Sequence, residues 1–83
     1  MILVHFPAML HPVAGREQRV DEPVANVGEL LAALERLVPG LGAALEDPVY
    51  NLAVNDDMLL HGVHAHPLSD GDVVEVIPTI AGG

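Results

Sequence analysis

The sequence predicts an α+β fold, in which a mixed sheet of four to five strands packs on one main helix. Two observations carry this prediction. Short segments with alternating apolar and polar residues lie at both ends of the chain and in its second half, as expected of strands with one buried face. Between them, residues 27–38 repeat apolar side chains at helical spacing. With 83 residues, the chain has room for one domain and one core.

The first two strands form a predicted hairpin. Residues 2–6 place apolar side chains at every second position, and Pro7 then removes a backbone donor where the strand should end. A loop through Pro12 and Gly15 follows. Residues 16–22 form a short, polar second strand that returns along the first.

The main helix has clear start and stop signals. Asn26 is a good N-cap, and Glu29 follows three residues later, as in a capping box. Pro39 and Gly40 stop the helix. In so small a protein, only the sheet is available to cover its apolar stripe. The stripe consists of Val27, Leu30, Leu31, Leu34, Leu37 and Val38.

The next elements are short. A turn containing Leu41 and Leu45 leads to a third strand over residues 49–54. Residues 55–57, Asn-Asp-Asp, are turn formers, and residues 58–60 are predicted to form a short fourth strand.

The last strand follows an irregular stretch and a strong turn. Residues 61–68 have no regular pattern, and residues 69–72 read Ser-Asp-Gly-Asp, which favours a turn. Residues 73–78 then alternate, with Glu75 marking the solvent-facing side. Ile77 lies on that same side, and we expect an exposed apolar residue there.

This order of elements is that of a β-grasp domain. By analogy with that fold, the first and last strands lie side by side and parallel. We therefore predict a β-grasp domain over residues 1–79, followed by a flexible diglycine tail over residues 80–83.

Composition excludes several kinds of partner. Twelve acidic residues face three arginines and no lysine, so the formal net charge is −9, which repels nucleic acids and anionic membranes and favours a partner with a basic docking surface. The absence of cysteine excludes disulfides and cysteine-ligated zinc and fits a reducing compartment. No apolar run approaches the roughly 20 residues that span a bilayer. We expect a cytoplasmic protein that binds neither nucleic acid nor membranes.

The clustered histidines are the strongest candidates for a metal site. His61, His64 and His66 are closely spaced, as metal ligands often are. A polar connecting loop is the favoured interpretation, because no cysteine accompanies them and nothing makes the segment rigid. The aspartates within residues 56–57 and 70–72 suit turns better than catalysis. We predict no metal, no cofactor and no catalytic residue in the chain.

The tail carries the predicted chemistry. Gly82 and Gly83 remove every side chain from the terminal reach, so that with Ala81 and Ile80 it can thread a narrow channel. Only the carboxylate of Gly83 is then left to react. An ATP-using partner could convert it to an acyl-adenylate that is open to attack by a sulfur donor.

Several motifs together resemble the MoaD/ThiS family of ubiquitin-like sulfur carriers. They are Pro-Leu-Ser-Asp-Gly-Asp-Val at residues 67–73, the strand ending Val-Ile-Pro at residues 76–78, the final Gly-Gly, and Ala-Val-Asn at residues 53–55. Residues 6–10, with Pro12 and Gly15, resemble carriers of the CysO type more than small subunits of molybdopterin synthase.

The resemblance implies a protein cosubstrate rather than an enzyme. An adenylating enzyme of the ubiquitin-activating type would adenylate Gly83, and a persulfide or sulfide would then replace AMP to give a thiocarboxylate. That group would donate sulfur in a biosynthetic enzyme of cysteine, thiamin or another sulfur metabolite. The alternatives are a small subunit of molybdopterin synthase, a ubiquitin-like protein modifier, and a purely structural interaction domain.

A docking patch for the partner enzymes is predicted from strand alternation. It consists of Pro7, Met58 and Ile77, with Ile80 on the tail. Burial of Met58 inside the domain is an equally acceptable interpretation.

Overall fold

Five strands form one mixed sheet in the computed structural model, which describes residues 1–79. The order across the sheet is β2-β1-β5-β3-β4. β1 and β5 are parallel, and the other neighbours are antiparallel. These pairings confirm the predicted α+β, β-grasp architecture, including the parallel first and last strands. The strands are β1 (Ile2–His5), β2 (Glu17–Val20), β3 (Tyr50–Val54), β4 (Asp57–Met58) and β5 (Val73–Pro78).

One long helix packs on the sheet, as predicted. α2 (Val27–Leu37) begins after Asn26, whose side-chain oxygen accepts a hydrogen bond from the Glu29 amide at 2.9 Å. The Glu29 carboxylate accepts in turn from the amide of Ala25 at 2.9 Å, one residue earlier than in the usual capping box. The helix therefore begins where its sequence signal places it.

Two short helices occupy segments that the sequence assigns to loops or turns. α1 (His11–Ala14), preceded by a 3₁₀ turn at Ala8–Leu10, replaces the predicted loop through Pro12. α3 (Leu41–Leu45) replaces the predicted turn after the main helix. Both predictions were wrong because helices of four or five residues are too short to show a periodic apolar pattern.

The core lies between α2 and one face of the sheet. Val4, Leu30 and Val74 are completely or almost completely buried, and no buried polar side chain occurs among residues 1–79. Leu37, which belongs to the predicted stripe, is instead 52% exposed. It is the last residue of α2, so no following helical turn covers it.

β5 alternates as predicted. Val74 and Val76 are buried beneath α2, whereas Glu75 is exposed on the opposite face of the sheet. We call this opposite face the outer face. Ile77 lies on it and is half-buried rather than fully exposed. Within residues 1–79, no helix is long and apolar enough to cross a membrane.

The carboxylate of Glu35 joins α2 to α3. Its two oxygens accept hydrogen bonds from the amides of Gly40, at 2.6 Å, and Ala43, at 3.2 Å. These backbone donors, with Gly40 first in size, hold the pKa of Glu35 below its usual range. Glu35 thus caps the start of a helix that has no side-chain cap from its own N-cap residue.

Candidate functional site

The chain is anchored at the end of the domain, just before the predicted reactive tail. The amide of Thr79 donates to the carbonyl of Val49 at 2.5 Å, and its hydroxyl donates to the carbonyl of Pro48 at 3.0 Å. The side-chain amide of Asn51 donates to the same hydroxyl at 3.3 Å. These bonds fix the position and direction of the chain at Thr79.

The predicted tail residues Ile80, Ala81, Gly82 and Gly83 lie outside the described residues. Their assignments as threading residues and as the adenylation site stay predictions. The described residues give the position of Thr79, after which the tail begins.

Two of the three predicted docking residues lie near this end of the sheet. Pro7 and Pro78 line a shallow cleft of about 370 Å³ between β1 and β5, together with Glu75. Ile77 lies next to Pro78 on the outer face. The part of the docking patch that contains Pro7 and Ile77 therefore lies at the end of β5.

Met58 lies farther away, on the edge strand. It pairs with Ala53, which in turn pairs with Glu75 of β5, so Met58 belongs to the outer face but lies two strands from Glu75. Its side chain is 44% exposed, which is contrary to the alternative of burial inside the domain. The structure therefore places Met58 and Ile77 on the outer face, two strands apart, and Pro7 in the cleft between β1 and β5.

Sequence reasoning missed two further apolar residues of the outer face. Leu3 of β1 pairs with Val73 of β5, and both side chains are half-buried. The same alternation that nominates Ile77 puts them on this face, so the signal was present. The predicted docking patch nevertheless included neither residue.

Two glutamates and a histidine lie beside these apolar residues. Glu17, His5 and Glu75 lie side by side on β2, β1 and β5. The ring nitrogen Nε2 of His5 lies 3.9 Å from Oε2 of Glu17. The outer face therefore combines apolar contact area with negative charge, which suits a partner surface that is apolar and basic.

Asp72, within the sequence motif shared with the family, organises the start of β5. Its carboxylate accepts hydrogen bonds from the Ser69 amide at 2.8 Å and from the Asn55 side chain at 2.9 Å. These two donors, Ser69 first, lower the pKa of Asp72 below its usual range. Asn55 also accepts from the amide of Val73 at 2.9 Å. The motif therefore ties two turns together, as its interpretation as a turn predicted.

The histidine segment also has a structural role. The backbone carbonyls of His64 and His66 accept hydrogen bonds from Gly28, at 2.9 Å, and Val27, at 3.0 Å, the first amides of α2. They satisfy donors that a helix start leaves free. Among residues 1–79, no group of three or more histidine, aspartate or glutamate side chains is placed to hold a metal ion.

Comparison with known proteins extends the similarity along the whole chain. Sulfur carrier protein CysO of Mycobacterium tuberculosis (strain ATCC 25618 / H37Rv) is 31% identical over 91 residues, covering 99% of this chain and 98% of the relative. Small archaeal modifier protein 3 of Haloferax volcanii is 38% identical over 90 residues, covering 96% of each.

Solved structures agree with these relatives. The crystal structure of M. tuberculosis CysO has a TM-score of 0.82 and 26% identity, covering 96% of this chain and 100% of that chain. The Amycolatopsis orientalis BexX/CysO complex has a TM-score of 0.80 and 28% identity, covering 100% of both chains. The family model described as "ThiS family" matches residues 4–83. The resemblance seen in the sequence motifs is thus confirmed, and the chain belongs to the ThiS family.

Proposed function

We propose that this ThiS-family chain is a sulfur carrier that delivers sulfur from a thiocarboxylate on Gly83. The observation that carries the proposal is the extent of the similarity. Sulfur carrier protein CysO matches 99% of this chain, and the family model extends to Gly83. A sulfur carrier is a protein cosubstrate, so the catalytic groups belong to its partner enzymes.

The proposed chemistry begins at the carboxylate of Gly83. One of its oxygens attacks the α-phosphorus of ATP, which releases pyrophosphate and leaves an acyl-adenylate. A hydrosulfide ion then attacks the carbonyl carbon, and AMP leaves with the electron pair of the broken carbon–oxygen bond. The product is a thiocarboxylate. If a persulfide delivers the sulfur, the attack gives an acyl disulfide, which a thiol must then reduce.

The anchored end of β5 supports this use of the tail. The hydrogen bonds of Thr79 to Val49 and Pro48 hold the base of the tail against the domain. Gly82 and Gly83 add no side chains beyond it. A partner that binds the domain would therefore receive the terminal carboxylate at a restricted distance from its docking surface.

We propose that an adenylating enzyme of the ubiquitin-activating type docks on the outer face. Pro7, Met58 and Ile77 supply apolar contact area, and Glu75 supplies charge for a basic partner. The solved BexX/CysO complex, in which a CysO chain binds another protein, supports a protein partner but does not identify it as an adenylating enzyme. The sulfur donor and the sulfur-accepting synthase complete the proposed set of partners.

Reconstitution tests the proposal. The full chain is incubated with a candidate adenylating enzyme, ATP and a sulfide source, and its intact mass is measured. We expect a mass increase equal to the difference between sulfur and oxygen, confined to a C-terminal fragment. Deletion of Gly83 should abolish the increase, whereas Ala43→Ser, at an exposed position of α3, should retain it. Sulfur transfer that survives deletion of Gly83 would falsify the proposal.

A second candidate is a protein modifier joined to other proteins through Gly83. The similarity to small archaeal modifier protein 3 favours it over the molybdopterin synthase subunit, which the carrier relatives do not favour. Immunoblots of cells expressing the tagged chain would then show ATP-dependent adducts of higher mass. If the blot shows only the free chain in cells that form the thiocarboxylate, the modifier function is contradicted and the carrier function remains.

A further inference from the structure

A second apolar surface lies on the helix side of the sheet, away from the outer face. It is a cleft of about 530 Å³ between α3, β3 and residues 59–65, and we call it the helix-side cleft. Its floor is formed by Leu31, Leu45 and Leu52, which all belong to the buried core. A cleft of this volume accommodates several large side chains or a small ligand.

The entrance of the cleft is marked by a polar contact. The ring nitrogen Nε2 of His64 lies 2.5 Å from Oε1 of Glu46, and both residues line the cleft. Their side chains are 63% and 53% exposed. Because the floor is buried and this pair is exposed, the pair lies at the solvent side, beside the half-buried ring of Tyr50.

Two carboxylates give the entrance a negative charge. Glu46 uses Oε1 for His64, and the neighbouring Asp47 uses Oδ1 to accept the amide of Val49 at 3.0 Å. Each therefore retains one oxygen that forms no hydrogen bond within residues 1–79. In the same part of the chain, neither carboxylate pairs with an arginine, and the sequence contains no lysine. A cation from outside the chain can occupy this position.

Two exposed apolar residues neighbour lining residues of the cleft in the sequence. Val49, between two residues that line the cleft, is 48% exposed, and Leu60, next to the lining residue Leu59, is 76% exposed. Exposed apolar residues near a pocket are typical of a protein contact rather than of a small-ligand site.

We propose that the helix-side cleft docks a segment of a partner protein that presents large apolar side chains next to arginine or lysine. The apolar side chains would contact Leu31, Leu45 and Leu52, and the cation would lie at Glu46 and Asp47. A second copy of this chain is a poor occupant, because it brings a further net charge of −9.

The position of the cleft decides whether the chain can bind two partners at the same time. The cleft and the outer face lie on opposite sides of the sheet. A partner held in the cleft leaves the outer face free for a second enzyme. The partner in the cleft would lie next to the base of the tail, because Pro48, which lines the cleft, accepts the hydrogen bond of the Thr79 hydroxyl. The chain would then bind two proteins at once instead of exchanging one for the other.

Peptide titration with two readouts tests the proposal. The probe is a capped peptide of alternating leucine and arginine, and its matched control alternates leucine and glutamate. We expect the basic peptide alone to shift the amide resonances of residues 46–50 and 62–65 in the isotope-labelled full chain. Tyr50 emission should change in parallel, since Tyr50 is the single tyrosine of a chain without tryptophan.

Matched variants separate the cleft from the rest of the surface. Ala65→Phe places a ring at an exposed position that lines the cleft and should abolish binding, whereas Ala8→Phe, far from the cleft, should not. Glu46→Gln with Asp47→Asn should weaken binding by about fivefold. Glu17→Gln with Asp21→Asn, which removes the same charge from β2 and the residue that follows it, should leave the affinity unchanged.

Four outcomes overturn the proposal. The first is binding of the acidic peptide as tight as that of the basic peptide, and the second is resonance shifts on the outer face instead of the cleft. The third is binding of phenethylammonium, a small aromatic cation, as tight as that of the basic peptide. The fourth is the formation of concentration-dependent dimers that use the cleft. Gly83→Ala should bind the probe like the original chain. Failure of the original chain to form a thiocarboxylate while it binds the probe would therefore count against the proposed function alone.

Discussion

Gly42 is buried where α3 packs on α2, and it has no room for a side chain. A Cβ at this position would lie 2.7 Å from the carbonyl oxygen of Leu31 and 2.9 Å from Cβ of Glu35. The Leu31 oxygen belongs to the backbone of α2, and the Glu35 Cβ is bonded directly to that backbone. Neither atom can therefore move without shifting α2 or α3. The close contact of the two helices depends on this glycine.

Gly42→Ala should therefore lower the free energy of unfolding by roughly 1–3 kcal/mol, the usual cost of overpacking. Urea unfolding followed by circular dichroism measures this change. Ala43→Ser, on the exposed side of the same helix, should change the free energy by less than about 0.5 kcal/mol. An unchanged midpoint for Gly42→Ala would show that the two helices separate easily.

Asp72 makes part of the stability depend on pH. Hydrogen bonds from Ser69 and Asn55 lower its pKa in the folded protein. A carboxyl group with a lowered folded pKa stabilises the protein above its unfolded pKa, which is about 3.9 for aspartate. That contribution is lost as the pH falls through the folded pKa.

Asp72→Asn should cost about 1 kcal/mol at neutral pH, because the carboxylate is exposed enough for water to compensate part of the loss. Urea midpoints measured from neutral pH to about pH 3 should fall less steeply for the variant than for the original chain. Asp56→Asn, which changes a turn residue with positive φ that asparagine tolerates, is the matched control. Parallel pH profiles for all three proteins would contradict the role of Asp72.

Among the helices, α2 is the one whose start and most of whose buried face could be predicted from the sequence. Its periodic apolar residues and the cap at Asn26 are local signals that the structure retains. α1 and α3 have no such signal, because each forms only about one turn, and α3 is also held by a contact from outside its own residues. The carboxylate of Glu35, which caps α3 from α2, is one such contact.

Asn26→Ala should lower the free energy of unfolding by about 1 kcal/mol, since the Glu29 amide loses its acceptor. Asn26→Asp should retain the cap and the stability, because its carboxylate accepts the same hydrogen bond near the positive end of the helix. Both are measured by urea unfolding. Equal losses for the two variants would indicate that Asn26 acts through some other contact.

At the scale of the whole molecule, the sequence predicted the sheet and its buried face better than the surfaces around them. Alternation within β5 was sufficient to place Val74 inside and Glu75 outside. The distance between Met58 and Ile77 was not predictable, because it depends on the order of strands that are far apart in sequence. The helix-side cleft was also missed, since its floor, entrance and wall come from separate segments.

The domain boundary after Thr79 is a prediction that truncation can test. A chain ending at Thr79 keeps the hydrogen bonds to Val49 and Pro48 and all the strands. Its free energy of unfolding should match that of the full chain within about 0.5 kcal/mol. A chain ending at Ile77 loses these bonds and should be less stable. A large loss on removal of residues 80–83 would mean that they contribute to the fold.

The anchor at Thr79 also limits how far Gly83 can reach from the domain. Four residues can span at most about 14 Å when fully extended, whatever conformation they adopt. Any nucleotide or sulfur donor that reacts at Gly83 must therefore lie within that radius of the end of β5. In a partner enzyme whose catalytic pocket is deeper than this limit, Gly83 cannot reach the reacting groups unless part of the domain also enters the opening of the pocket. Under the proposed function, the length of the tail would therefore limit the possible partners to those with active sites of suitable depth.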